Sequence, residues 1–230
     1  MVELELVAYL ALHPPGVDEG RLRTALWPEA APSRAAFNQT VSRARQPLGS
    51  APDGSLHLPR VAEGDGFMYR LGPAVDCDAS VLEAAYAAVR RDPTPAGFDD
   101  LELALELVRG IPFEGTRGGW EWAYVEGHAA RLSAIAAEAA HLVARNALDM
   151  GDTARALHAA GKGLAASPGD EVLYRDRMEA HDLAGNTAGV EATMAELRRT
   201  VDDGEPYDAI HPDTIACYER LTRKTLRRAG

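Results

Sequence analysis

Gly151-Asp152-Thr153-Ala154 recurs as Gly185-Asn186-Thr187-Ala188, an offset of 185 − 151 = 34 residues. That is the period of tetratricopeptide-type repeats, in which a glycine sits in the turn between two amphipathic helices. The pattern around it, from Asp76 onward, reads as helices alone. Candidate segments cover 79–91, 98–109, 120–149, 153–166, 170–183, 187–202 and 212–228, punctuated by Pro93, Pro95 and the glycine-rich 110–119 stretch. Such helix pairs cannot bury their apolar faces singly, so they must stack on one another.

The first third of the chain is different. Residues 2–13 have a helix-forming composition and stop at Pro14-Pro15, and Asp18 caps a second short helix that runs to Trp27 before Pro28. A third helix, Pro32 to Leu48, places Phe37, Val41, Ala44 and Leu48 at i, i+4, i+7 and i+11, an apolar stripe on one face. Two β-prone runs, 56–61 and 67–71, flank Glu63-Gly64-Asp65-Gly66 and predict a hairpin. Three helices and a hairpin are the element order of a winged helix-turn-helix. The predicted fold is mainly α: a winged helix-turn-helix over 1–74, followed by an all-α tetratricopeptide-like helical repeat domain over 76–230.

The net charge of −11 argues against a protein that coats nucleic acid through its overall field, so any DNA contact must depend on local basic residues. Cys77 and Cys217 show neither a CxxC nor a zinc spacing, which predicts no disulfide framework and fits a reducing compartment, the cytoplasm. No apolar run approaches the roughly 18 residues that span a bilayer, so no membrane contact is expected within this segment.

The segment from Glu5 to Gly49 resembles the winged helix of the Streptomyces antibiotic regulatory proteins, most specifically over Trp27 to Leu48. Tyr69-Arg70-Leu71 lies where that family has its wing. The remainder resembles the bacterial transcriptional activator domain that follows: Val75-Asp76-Cys77-Asp78 matches its opening, and Leu107 to Phe113 matches Trp-Arg-Gly-x-Pro-Leu with Val108 in place of Trp. Trp120 and His128-Ala-Ala-Arg-Leu132 fit the long helix after it. Pro212-Asp213-Thr214 and Tyr218-Glu219-Arg220-Leu221 fit the closing pattern. The resemblance covers nearly the whole chain and implies an actinobacterial transcription regulator that binds direct-repeat DNA as a homodimer and engages RNA polymerase. Family members usually carry a β-sheet before the first helix, and this chain opens at that helix.

With the apolar stripe of the third helix buried, Gln39, Ser42, Arg43 and Gln46 fall on the opposite face, flanked by Asn38 and Arg45, with Arg34 nearby. Asn and Gln pair bidentately with adenine, Arg with guanine, and Ser and Arg reach phosphates. The candidate DNA-binding set is Arg34, Asn38, Gln39, Ser42, Arg43 and Arg45, with Arg60 and Arg70 of the hairpin holding adjacent backbone. A polar, Arg-bearing face is also what any solvated helix shows. The seven arginines of residues 1–75 stand against eight acids, a near-neutral balance, and the wing loop carries Glu63 and Asp65, of the wrong sign for phosphate.

Nothing else reads as an active site. The seven histidines form no HxxxH or HExxH, which gives no metal-ligand spacing. Glu114 to Gly119 is glycine-rich but lacks GxGxxG and the Walker lysine, so no cofactor is expected. Trp120 and Trp122 read as packing residues, and the cations near the C-terminus (Arg220, Arg223, Lys224, Arg227, Arg228) as macrodipole partners. Two non-catalytic functions remain open. One is a DNA-binding regulator with a protein partner on its helical repeats. The other is an interaction module that does not read DNA, forming the cytoplasmic C-terminal end of a larger, membrane-attached or LysM-containing protein.

Overall fold

Capping residues and prolines set the helix ends in this chain. The structure, a computed structural model, describes residues 2–61, 67–116, 118–201 and 210–228, with side chains to residue 223. Eleven helices occur among the described residues: α1 (Val2–Ala11), α2 (Glu19–Leu26), α3 (Arg34–Leu48), α4 (Asp78–Arg91), α5 (Pro95–Leu105), α6 (Glu121–Val125), α7 (His128–Asp149), α8 (Thr153–Ala166), α9 (Glu171–Leu183), α10 (Thr187–Val201) and α11 (Pro212–Arg228). None is long and apolar enough to cross a membrane. The chain forms two compact units, Met1–Val81 with Phe113–Ala130, and Leu82–Pro112 with Arg131–Gly230.

In the first unit, α1 packs against α2 and α3. Asp18 accepts the Arg21 N–H at 2.9 Å to open α2, and Ser33 accepts the Ala36 N–H at 3.2 Å to open α3. The predicted stripe faces inward, with Phe37, Val41 and Ala44 at 0%, 4% and 1% exposure. They pack with Leu6, Tyr9, Leu10, Leu22 and Leu58, each large side chain contributing about 1.5–3 kcal/mol by leaving water.

The expected hairpin is corrected. Among the described residues the β pairing consists of two isolated bridges, Val17 with Tyr69 and Ser50 with Leu56, and none joins the 56–61 run to the 67–71 run. Tyr69 exchanges both backbone hydrogen bonds with Val17, at 2.9 and 2.7 Å, while Gly72 N–H donates to the His57 carbonyl at 2.8 Å. Pro59 has no N–H to give a ladder, and Leu58 and Tyr69 are drawn into the helical core. The predicted loop Glu63–Gly66 lies outside the described residues.

Phe113–Ala130, expected in the second domain, belongs to the first unit. Trp120, Trp122 and Ala123 share the core of α1–α3, and the packing role read for both tryptophans matches their 7% and 4% exposure. Glu5, 3% exposed, accepts the Trp120 backbone N–H at 2.8 Å and the Trp122 indole N–H at 3.1 Å. This bond holds Trp120 at φ 69°, a left-handed backbone that costs of order 1–3 kcal/mol. Gly119 has no alternative, since a Cβ there would lie 2.6 Å from the Glu5 carboxylate. The long helix predicted over 120–149 is broken, with Gly127 at φ 76° between α6 and α7.

In the second unit α9 packs on α8, α10 and α11, and α5 packs on α8, a helical repeat-like arrangement. Its core uses small residues where helices approach closely: Ala136, Ala137, Ala139, Ala140, Val143 and Ala144 of α7 are all 0–4% exposed. The 34-residue repeat marks two equivalent turns. Gly151 and Gly185 take φ 76° and 70°, and the next N–H, of Asp152 or Asn186, reaches back to the Ala147 or His181 carbonyl at 2.9 or 2.8 Å. The same Asp152 and Asn186 side chains then accept the N–H three residues on, from Arg155 at 3.0 Å and Gly189 at 2.9 Å. One four-residue motif therefore stops a helix and starts the next.

Candidate functional site

The inward stripe of α3 leaves the opposite face in solvent. Arg34, Asn38, Gln39, Ser42, Arg43 and Gln46 are all exposed, as are Arg60 and Arg70. This surface offers three carboxamides, a hydroxyl and guanidinium groups along a little over three helical turns, the chemistry that base edges and phosphates accept. Arg34 and Arg45 both act electrostatically on the Tyr69 hydroxyl, and Arg60 acts on Arg45, so these three cations share one neighbourhood. Burial pushes the Tyr69 phenol up, Glu19 adds to it, and the two arginines oppose it.

Arg45 stands apart from the rest of the predicted set. It is half-buried, its Nε donates to the Leu58 carbonyl at 2.7 Å, and a terminal nitrogen reaches the Pro59 carbonyl at 3.4 Å. Burial and then the Arg60 charge pull its guanidinium below its ordinary value. Its fork is spent on the backbone of 58–59, which makes it a positioning residue for that segment. Arg43 is 61% exposed and lies 3.9 Å from the Glu3 carboxylate, a surface pair of the kind worth under about 1 kcal/mol.

Two further groups of polar residues were not legible from spacing. In the first unit Glu126 accepts the Tyr9 hydroxyl at 2.9 Å on one oxygen, while the other is 2.9 Å from His13 Nε2, 3.0 Å from Arg21 and 3.5 Å from His128 Nε2. Burial acts to raise the Glu126 carboxyl, but the hydrogen bonds from Tyr9, His13 and Arg21 together hold it below its usual range. Burial and the bond to Glu126 push the Tyr9 phenol up to about 12. These residues are more than 100 positions apart (126 − 13 = 113), and no local pattern announces them.

In the second unit a cavity of about 640 Å³ is lined by His141, Arg145, Arg175, Asp176, Glu179 and Arg220, among others. Asp176 is 3% exposed and 2.6 Å from His141 Nδ1. Burial raises its carboxyl, opposed by His141 and Arg145. Arg145 and Arg220 both pair with Glu179. The i,i+3 spacing of Asp176 and Glu179 was visible in the sequence, but their burial was not.

Residues 77–211 match the bacterial transcriptional activator domain family. The chain is also similar in structure to Mycobacterium tuberculosis EmbR, solved in complex with a low-affinity phosphopeptide, with a TM-score of 0.67 at 22% sequence identity. That match covers 97% of this chain and 60% of the EmbR chain, so the chain spans 60% of that relative's length. The likeness establishes the fold. No curated protein matches the chain.

Proposed function

This chain belongs to the bacterial transcriptional activator domain family, and from that premise we propose that it is a regulator module that reads DNA with α3 and holds a protein partner on its helical repeats. The observation that carries the reading is the division of α3: Phe37, Val41 and Ala44 are buried, and Asn38, Gln39, Ser42 and Arg43 are exposed. A recognition helix enters the major groove with such side chains outward. Asn38, Gln39 and Arg43 contact base edges, and Arg34, Arg60, Arg70 and Ser42 contact the phosphodiester backbone. Arg45 acts through the 58–59 segment. The DNA-contacting domain is 1–74 supplemented by 113–130, and the remaining helices form the partner-binding domain.

Dimerisation, contact with RNA polymerase and a cytoplasmic location belong to the same proposal and rest on the resemblance to the Streptomyces antibiotic regulatory proteins. Electrophoretic shifts with genomic fragments at low salt test it. A shift that Arg43→Ala and Gln39→Ala both weaken supports the reading. The absence of any shift, or one indifferent to both substitutions, contradicts it.

One observation favours the second reading, an interaction module that does not bind DNA: Glu3 already pairs with Arg43. The same shift experiment with Glu3→Gln separates the two, because release of Arg43 strengthens DNA binding only where DNA is bound.

A further inference from the structure

We propose that His13, Glu126 and His128 form a site for a divalent transition-metal ion, Zn²⁺ by its ligand chemistry, in the first unit. The inference is independent of the DNA-binding reading. One donor atom from each residue lies within 4.8 Å of the others. Glu126 Oε2 is 2.9 Å from His13 Nε2 and 3.5 Å from His128 Nε2. Zinc bonds of about 2.0–2.1 Å in a tetrahedron put neighbouring donors about 3.3 Å apart, a value those two separations bracket. Two imidazoles and a carboxylate are a zinc donor set that leaves the fourth position for water.

The orientation of the donors points the same way. His13 Nδ1 lies 2.7 Å from the Tyr9 carbonyl, which can only accept, so the Nδ1 atom carries the proton. In the metal-bound site Nε2 is deprotonated, so its lone pair and the Glu126 carboxylate, 2.9 Å apart, both face the cation. A ligating histidine typically donates its other ring N–H to a carbonyl or carboxylate in this way. Tyr9 also fixes the second donor, since its hydroxyl bonds Glu126 Oε1 at 2.9 Å and leaves Oε2 to face the histidines. Tyr9 is fully buried, and the side chains of His13 and His128 are each 11% exposed. The Trp122 ring packs edge-on against Tyr9 and His128, with centroids 4.8 and 5.8 Å away. The donors are therefore held by packed aromatic rings.

Arg21 is the competitor. Its terminal nitrogen lies 3.0 Å from both His13 Nε2 and Glu126 Oε2, where a metal cation would neutralise the same charge. The side chain is 52% exposed, so it can withdraw into solvent when an ion takes its place.

The test uses the full chain without an affinity tag. Zn²⁺ is titrated by calorimetry near neutral pH, and Co²⁺ is followed by visible absorption, whose intense bands report four-coordination. One Zn²⁺ per chain at micromolar or tighter affinity is expected. His128→Gln and Glu126→Gln, which remove direct ligands, should each weaken it by more than about 10-fold, the lower bound for losing an outer-shell partner. His158→Gln, an exposed histidine paired with Glu106 elsewhere, should leave it unchanged. Arg21→Ala keeps all three donors and removes their competitor, so it should bind Zn²⁺ more tightly than the parent. Absence of Zn²⁺ binding by both the parent and Arg21→Ala overturns the proposal, as does a site indifferent to His128→Gln.

Discussion

Glu5 and Trp120, 115 residues apart in sequence, are joined by a 2.8 Å hydrogen bond inside the core of the first unit. The bond fastens the Trp120 segment, which follows the early helices of the activator domain, into the same core as α3. Glu5→Ala leaves the Trp120 and Trp122 N–H groups without their acceptor, at a cost of about 1–3 kcal/mol each for a buried orphan donor. All three tryptophans, at 27, 120 and 122, lie in the first unit. Urea unfolding followed by tryptophan fluorescence should therefore show the loss as an earlier midpoint.

The two repeat turns make a separate prediction for the second unit. Gly151→Ala and Gly185→Ala each place a Cβ on a left-handed residue, at about 1–2 kcal/mol. Helical signal in thermal unfolding should fall at a lower temperature for both variants, and by similar amounts, because the two turns share the same hydrogen bonds.

Arg43 and Arg45 should separate cleanly. Arg43→Ala lowers DNA affinity while the unfolding free energy followed by fluorescence stays within about 0.5 kcal/mol of the parent, as expected for an exposed side chain. Arg45→Ala leaves the Leu58 and Pro59 carbonyls without their donor, so it lowers the midpoint as well as DNA affinity. Glu3→Gln should raise DNA affinity, by up to about 5-fold for a surface pair.

Acid should expose the Glu126 network. Its carboxyl is held below the ordinary value of 4.5, against the push of burial, by Tyr9, His13 and Arg21. Folding therefore favours the charged form. The resulting stability is present above 4.5 and drains away as pH falls through the depressed value. The stability difference between the parent and Glu126→Gln should be positive near neutrality and shrink in acid. A difference independent of pH contradicts the assignment.

Local signals were read well from the sequence. Asp18 as a cap, the Phe37–Val41–Ala44 stripe and the 34-residue recurrence are patterns carried by the sequence itself, and each has its counterpart in the structure, whereas the Ser33 cap of α3 was not read. What failed depended on partners far along the chain. The β-prone run 67–71 pairs with Val17 instead of its neighbour, because Tyr69 gains more from the helical core than from a hairpin that Pro59 interrupts. Trp120 and Trp122 are packing residues as read, yet the core they fill belongs to the first unit. His13, Glu126 and His128 carry no motif, since only the fold brings them together. Within α3 the face was legible, with Arg43 opposite the stripe and Arg45 on its flank, but the bond that ties Arg45 to the Leu58 carbonyl was not.

The central claim is that the outer face of α3 reads base edges. In vitro selection from randomised DNA duplexes, run in parallel with the parent chain, Gln39→Ala and Arg43→Ala, tests it most directly. The account predicts that the parent enriches a defined half-site, and that each substitution relaxes preference at its own position, at about 1–3 kcal/mol per lost bidentate contact. Enrichment of no sequence by the parent, or of the same half-site by all three proteins, contradicts it.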